Sequence, residues 1–154
     1  MDITKIKSLR DLCKKKGCGF FLSNNVKLAI KLKLDGVYLP SFNKSFNHLN
    51  YNFKKKFIIL GSAHSLQELN IKKLQAVKFF FVSSLFKKNK NYLGIYKFKF
   101  FENFTKKKLV ALGGINEKNI KKLGLLDVCG YAGISFFKKK APLKKGPSNI
   151  LDSK

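Results

Sequence analysis

Residues 109–120 have the sequence LVALGGINEKNI, in which four apolar residues lead through two glycines into a polar stretch. An apolar run of this length that stops at glycine predicts a buried β-strand. Asn116 can then cap a helix that carries Ile120, Leu123 and Leu125. The same order of a short apolar run and a following helical segment recurs along the chain, and this repetition predicts an α/β fold.

Six apolar runs have the length and composition of strands. They are residues 19–23, 36–39, 57–61, 77–82, 109–112 and 128–134. Strands that are apolar throughout are typical of parallel sheets whose two faces are both covered, and we expect both faces to be buried here. Six βα units in a row fit part of a barrel or a doubly wound sheet.

The connecting segments differ in how clearly they predict a structure. Ser65 can cap a helix that starts at Leu66, with Glu68 reaching back to Ser65 in a capping box. Residues 41–52 are polar and rich in asparagine, which predicts an irregular loop with at most one helical turn. Residues 98–104 are rich in aromatic side chains that suit either a strand or a helix.

The composition is strongly basic, with 33 Lys and Arg against eight Asp and Glu, a formal charge of +25. Clustered positive charge favours nucleic acid or a membrane surface as a partner. A coding bias toward Lys, Asn, Phe, Ile and Leu gives the same composition. Because Arg10 is the only arginine, and nucleic-acid sites commonly use the planar arginine fork, we do not expect a nucleic-acid partner. Residues 138–154 predict a basic disordered tail that follows one domain of residues 1–137.

We expect neither a membrane-spanning segment nor a signal peptide in this sequence. No apolar stretch approaches the roughly 18 residues that span a bilayer, and no uninterrupted apolar run follows Lys5, Lys7 and Arg10. The three cysteines are an odd number without metal-ligand spacing. They fit reduced thiols, so the expected location is the cytoplasm.

Two glycine-bearing loops predict a phosphate site. Gly113 and Gly114 allow a close approach of backbone, and the first amides of a following helix carry partial positive charge. An ordinary tight turn has the same local sequence. The next strand ends at Ile134 and Ser135 after a glycine, and the loops after the last two strands of (β/α) barrels often form a phosphate site.

Ser62 and His64 follow the strand of residues 57–61, where catalytic groups of such barrels gather. A histidine there can act as an acid or base near neutral pH, although it can also simply pack and form hydrogen bonds. None of the eight acidic residues follows a predicted strand, and no Cys–His set suits zinc. The residues themselves therefore predict no metal site.

Five motifs occur in the order seen in thiamine phosphate synthases and TenI-type proteins. They are NNVKLAIKLKLDGVYLPS (24–41), ILGSAHSLQEL (59–69), FFVSSLFKKNK (80–90), VALGGINEKNI (110–120) and GYAGIS (130–135). The chain resembles this family over residues 19–137. The resemblance implies a (β/α)8 TIM barrel, of which about six βα units are present and the first two strands have no counterpart before Gly19. A missed upstream start, a fragment, or closure as a homo-oligomer would each account for this.

The resemblance also implies thiamine biosynthesis. Synthase members, which are transferases, join a pyrimidine methyl diphosphate to thiazole phosphate and release pyrophosphate, whereas the TenI branch isomerises a thiazole phosphate tautomer. By this resemblance Ser62 belongs to the diphosphate and pyrimidine pocket, and His64 is the acid/base if TenI chemistry is retained. The thiazole phosphate is held, by the same resemblance, by Gly113, Gly114, Ile134 and Ser135.

The chain departs from the family at its metal site. Family members use Mg²⁺, but the two metal-binding aspartates are replaced by Asn24 and Asn43. Lys88 and Lys90 lie in the loop after the fourth strand, where they could meet a diphosphate directly. Three functions follow as alternatives: a synthase-like enzyme, a thiazole tautomerase, and a non-catalytic binder of phosphate ligands or polyanions.

Overall fold

The computed structural model describes residues 2–105, 108–134 and 136–137. Within them the predicted α/β fold is confirmed, because six parallel strands form one sheet in the order of the chain. The strands are β1 (Phe21–Ser23), β2 (Gly36–Leu39), β3 (Ile58–Ala63), β4 (Phe79–Val82), β5 (Lys108–Leu112) and β6 (Gly130–Ala132). The strand order never reverses, so this sheet is not doubly wound.

The helices are α1 (Ile3–Lys15), α2 (Val26–Lys31), α3 (Leu66–Leu74) and α4 (Gly94–Phe104), with 3-10 helices at Asn47–Asn50 and Ile120–Leu125. The single helical turn expected in residues 41–52 is confirmed, and the ambiguous aromatic stretch is helical. Helix α1 was not expected. It is capped by Asp2, whose carboxylate accepts hydrogen bonds from the amides of Thr4 and Lys5.

The capping of α3 is confirmed with one correction. Ser65 accepts a hydrogen bond from the Glu68 amide at 3.2 Å, as expected of an N-cap. The Glu68 carboxylate does not reach back to Ser65. Its Oε2 instead accepts the amide of His64 at 2.6 Å, one residue earlier, so it fixes the end of β3 as well as the helix start.

The expectation that both sheet faces are buried is wrong for the described residues, because burial alternates along the strands. One face packs into the core with α2, α3 and α4. Strand residues on this face are Leu22, Val37, Leu39, Ile59, Phe80, Val82, Leu109 and Ala111. The other face is half-buried, and there the rings of Tyr38 and Phe81 meet edge to face at 5.8 Å.

Two predictions concern residues outside the described ranges. The predicted tail of residues 138–154 and Ser135 both lie outside them. No helix in the described residues is long and apolar enough to cross a membrane.

Candidate functional site

The carboxyl ends of the parallel strands meet at one edge of the sheet, so the loops that follow them are neighbours. We name three of these loops: the β2 loop (residues 40–57), the β4 loop (residues 83–93) and the β5 loop (residues 113–119). Residues that follow neighbouring strands are in contact at three places: after β1 and β2, after β3 and β4, and after β4 and β5. Neighbouring strands in a sheet are about 4.8 Å apart. The first and the third contact are three strand spacings apart, so roughly 15 Å separates them.

The first contact joins Asn24 and Asn43. Nδ2 of Asn43 donates to Oδ1 of Asn24 at 2.6 Å. Asn24 has a left-handed φ of 56°, which asparagine tolerates better than most residues. Oδ1 of Asn43 accepts the amide of Ser45 at 2.8 Å. The paired carboxamides line a cleft of about 200 Å³, together with Lys27 and Tyr51.

Behind this cleft lies a buried lysine. Lys72 of α3 is 0% exposed, which is rare for this residue type. Its Nζ donates to the backbone oxygen of Asn43 at 2.7 Å and to Oε1 of Gln75 at 2.9 Å. Burial lowers the pKa of Lys72 to about 8, and the negative charge of Glu68 opposes this shift. A buried amine with a lowered pKa is therefore held against the β2 loop.

Gln75 holds the same loop at two further points. Its Nε2 donates to the backbone oxygen of Asn43 at 3.1 Å and to that of Ser45 at 2.8 Å. Its own backbone oxygen lies 2.9 Å from Nε2 of His48, which is buried in the 3-10 helix Asn47–Asn50. Because a carbonyl oxygen only accepts, Nε2 of His48 carries the proton. His48 therefore anchors the β2 loop to α3 through this hydrogen bond.

The second contact orients His64. Its Nδ1 lies 2.9 Å from both the backbone oxygen and Oγ of Ser83. The carbonyl requires a proton on Nδ1, so Nε2 has the lone pair. Among the described residues Nε2 has no hydrogen-bond partner. His64 is thus held in the tautomer that can accept a proton at Nε2.

Ser62 lies inside a strand, because β3 runs two residues further than the sequence predicts. It is buried and pairs in register with Phe81 of β4. The alternation of the strand places Ser62 on the half-buried face of the sheet. Ser62 therefore lies within the sheet, whereas His64 lies beyond the end of β3.

The third contact explains the two glycines of the β5 loop. Gly113 and Gly114 have φ values of 102° and 77°. A Cβ on Gly113 would lie 2.6 Å from Oγ of Ser84, and one on Gly114 would lie 2.5 Å from the backbone nitrogen of Lys87. The backbone oxygen of Gly113 accepts the amide of Phe86 at 2.8 Å. The close approach that requires glycine here is that of the β4 loop.

The expected helix after these glycines is a turn followed by the 3-10 helix Ile120–Leu125. Oδ1 of Asn116 accepts the amides of Lys118 and Asn119 at 2.9 and 3.2 Å. Oδ1 of Asn119 accepts the amide of Asn116 at 2.8 Å, and its Nδ2 donates to Gly114 at 2.9 Å. The side chains of Asn116 and Asn119 thus accept hydrogen bonds from backbone amides that would be free to bind a phosphate at the first turn of an α-helix. A phosphate site here would have to use other amides of the β5 loop.

The remaining predicted site residues are spread along the same edge. Lys88 and Lys90 are exposed on the β4 loop, in which Lys87 is the residue that lies beside Gly114. Ile134 follows β6 and is highly exposed. Binding of phosphate by these residues, and by Ser135, stays a prediction.

The sequence reading missed Lys72 and Gln75 and assigned no role to His48. A signal was present, because Lys72 lies three residues after Leu69 on the buried stripe of α3. A lysine at an apolar position of an amphipathic helix needs a partner in the core.

The family model described as thiamine monophosphate synthase matches residues 3–137. The chain belongs to this family. A thiamine-phosphate synthase of Helicobacter pylori strain Shi470 is 33% identical over 118 residues, which is 73% of this chain and 54% of the relative. One from Fusobacterium nucleatum is 27% identical over 96% of this chain and 73% of its own length.

A solved structure shows the same similarity. It is the thiamine phosphate pyrophosphorylase of Pyrococcus furiosus, which superposes with a TM-score of 0.69 at 26% identity. The superposition covers 84% of this chain and 63% of the Pyrococcus chain. This chain therefore spans somewhat over half the length of the Helicobacter thiamine-phosphate synthases that it matches.

Proposed function

We propose that this chain acts in thiamine biosynthesis as a synthase-like transferase, which condenses a pyrimidine methyl diphosphate with thiazole phosphate to thiamine phosphate. The family match over residues 3–137 carries the proposal. The positions of His64, the paired asparagines and the β5 glycines after neighbouring strands support it. Their spread of roughly 15 Å leaves room for two substrates side by side.

The reaction needs charge stabilisation more than covalent catalysis. The bond between the methylene carbon and the diphosphate oxygen breaks, pyrophosphate leaves with the bonding electrons, and the thiazole nitrogen donates its lone pair to that carbon. Fixed positive charge and correct orientation accelerate such a step. Lys88 and Lys90 would meet the departing diphosphate, and the pyrimidine would lie near Ser62. The thiazole phosphate would be held by Gly113, Gly114, Ile134 and Ser135.

Magnesium is implied by the family, but the paired asparagines do not fit it. Mg²⁺ prefers carboxylate oxygens, whereas Asn24 and Asn43 supply neutral carboxamides that bind each other. Oδ1 of Asn43 is also engaged by the Ser45 amide. Within the described ranges, no group of three His, Cys, Asp or Glu is placed to hold a metal ion. We infer that lysines replace the cation.

The six strands are further proposed to be part of a (β/α)8 barrel wall. Their unreversed order supports this, since barrel strands follow one another around the axis. The half-buried face that carries Tyr38 and Phe81 would be the barrel interior.

Pyrophosphate release from the two substrates tests the transferase proposal. We expect release in EDTA as well as in Mg²⁺. Lys88→Glu and Lys90→Glu should each lower the rate at least tenfold, whereas Lys122→Glu, an exposed charge reversal on the 3-10 helix Ile120–Leu125, should not. A folded chain without turnover contradicts the proposal. Salt-sensitive binding of nucleic acid that thiazole phosphate does not affect would instead favour the polyanion binder.

A TenI-type thiazole tautomerase is the second candidate, and the geometry of His64 favours it. A tautomerisation moves a proton between two atoms of the thiazole and needs no metal, and Nε2 of His64 is oriented to accept that proton. We expect His64→Gln to lower tautomerase turnover by about a hundredfold. Ser83→Ala should cost only a few-fold, since it keeps the backbone oxygen that orients the ring. Equal turnover of the wild type and His64→Gln would exclude this role.

A further inference from the structure

Two buried side chains of α3 hold the β2 loop from behind the asparagine pair. We propose that Lys72 and Gln75 are positioning residues, which fix the β2 loop in place without a divalent cation. The loop then presents Asn43 to Asn24 in the cleft. The inference rests on the proposed function only in taking this cleft as part of the substrate site.

The contacts of this Lys72–Gln75 clamp fix both the backbone and the side chain of one residue. Nζ of Lys72 and Nε2 of Gln75 both donate to the backbone oxygen of Asn43, at 2.7 and 3.1 Å. Nε2 of Gln75 also lies 3.3 Å from Oδ1 of Asn43. Because Oδ1 is held on this side, Nδ2 of Asn43 is turned toward Asn24. The clamp thus sets the orientation of the carboxamide that lines the cleft.

A second group of contacts extends the hold along the loop. Nε2 of Gln75 donates to the backbone oxygen of Ser45 at 2.8 Å, and the backbone oxygen of Gln75 accepts Nε2 of His48 at 2.9 Å. The loop is therefore attached to α3 at Asn43, Ser45 and His48. Three attachment points spread over six residues immobilise the segment.

The burial of Lys72 indicates a role beyond packing. Moving an ammonium out of water is costly unless its partners compensate for the lost hydration. The hydrogen-bond acceptors of Lys72 are neutral oxygens, and Glu68 is the carboxylate whose charge acts on it. The aliphatic stem of Lys72 packs beside Gly61. A Cβ added to Gly61 would lie 3.1 Å from Cδ of Lys72. An apolar side chain would fill this space without the charge, so the amine serves the loop.

Hydrogen exchange on the full chain, followed by mass spectrometry, tests the clamp. Lys72→Met keeps the stem and removes the amine, and Lys73→Met on the same helix is the matched control, because Lys73 contacts Phe104 at the surface. We expect amides of residues 41–52 to exchange at least tenfold faster in Lys72→Met and unchanged in Lys73→Met. Amides of β3 and β4 should exchange at the wild-type rate in both. Wild-type exchange of residues 41–52 should be the same in Mg²⁺ and in EDTA.

Three results would overturn the proposal. The first is unchanged exchange of residues 41–52 in Lys72→Met. The second is faster exchange across the whole chain, which would show that Lys72 supports the fold in general. The third is slower hydrogen exchange of residues 41–52 of the wild type in Mg²⁺ than in EDTA. No substrate is needed, so the outcome is independent of whether the chain binds thiazole phosphate.

Discussion

Asn24 and Asn43 stand where the family resemblance places two metal-binding aspartates, and their carboxamides bind each other at 2.6 Å. Two carboxylates at this separation would repel each other strongly unless a cation lay between them. The neutral pair removes that need for a cation. Lys72, beneath the pair, supplies a positive charge to the oxygen of Asn43 instead.

Restoring both carboxylates should restore a dependence on metal. We expect Asn24→Asp/Asn43→Asp to lower the free energy of unfolding by about 2 kcal/mol in EDTA and to recover it in Mg²⁺. Denaturant unfolding with and without Mg²⁺ measures both. The single variant Asn24→Asp is the control, because its carboxylate can still accept Nδ2 of Asn43. A double variant that ignores Mg²⁺ would show that these positions no longer form a metal site.

The buried amine of Lys72 predicts a pH dependence of stability. Its pKa is about 8 in the fold against 10.5 for an ordinary lysine. Between pH 8 and 10.5 the unfolded chain binds more protons at this residue, so the free energy of unfolding rises with pH. Lys72→Met lacks this contribution. The stability of the wild type relative to Lys72→Met should thus increase from pH 8 to pH 10.5 and stay level below pH 8.

Denaturant unfolding of both proteins at pH 7 and at pH 10 makes this comparison. The other lysines are common to both proteins and cancel in the difference. Glu68 and His48, the ionisable groups nearest the clamp, are common to both as well. A relative stability that does not rise between pH 7 and pH 10 would mean that Lys72 is not desolvated in solution.

At the scale of elements, strands were predicted better than the segments between them. The strands could be predicted from the apolar runs, because a short apolar run between turn residues has few alternatives to a buried strand. Helix α4 was left ambiguous, since its aromatic residues suit either structure. The segment Ile120–Leu125 adopts a 3-10 helix because Asn116 and Asn119 bind the turn that precedes it. Hydrogen bonds made by side chains, and contacts between distant residues, cannot be predicted from the periodicity of apolar residues.

The site was predicted in outline but not in its contacts. His64 follows β3 and the β5 glycines follow β5, as the sequence predicts, and their roles in a site stay a prediction. The sequence does not predict why glycine is required at Gly113 and Gly114, because the β4 loop that approaches them is distant in sequence. The Lys72–Gln75 clamp was missed for the same reason, since its partners lie about thirty residues earlier.

The glycine turn makes a prediction for the β5 loop. Gly114→Ala should lower the free energy of unfolding by about 2 kcal/mol, because an L-residue is disfavoured at a φ of 77° and its Cβ meets the backbone of Lys87. Gly124→Ala is the matched control, since nothing lies within 4 Å of its Cβ. It should change stability by less than about 1 kcal/mol. Equal effects in denaturant unfolding would mean that the β4 loop is not packed on Gly114.

At the scale of the whole molecule, six parallel strands in unreversed order place the loops that carry His64, the asparagine pair and the β5 glycines at one edge of one sheet. The formal charge of +25 gives the chain a strongly positive field. Such a field attracts phosphorylated ligands at any site it reaches. The glycine turn and the asparagine pair are the two places where the described loops could give that attraction a defined geometry.

Calorimetric binding of thiazole phosphate to the purified chain tests the central claim, a phosphate site that works without metal. We predict saturable binding with the same affinity in Mg²⁺ and in EDTA. It should be abolished by Gly114→Asp and retained by Gly124→Asp. A folded wild-type chain that does not bind, or that binds only when Mg²⁺ is present, would contradict the account.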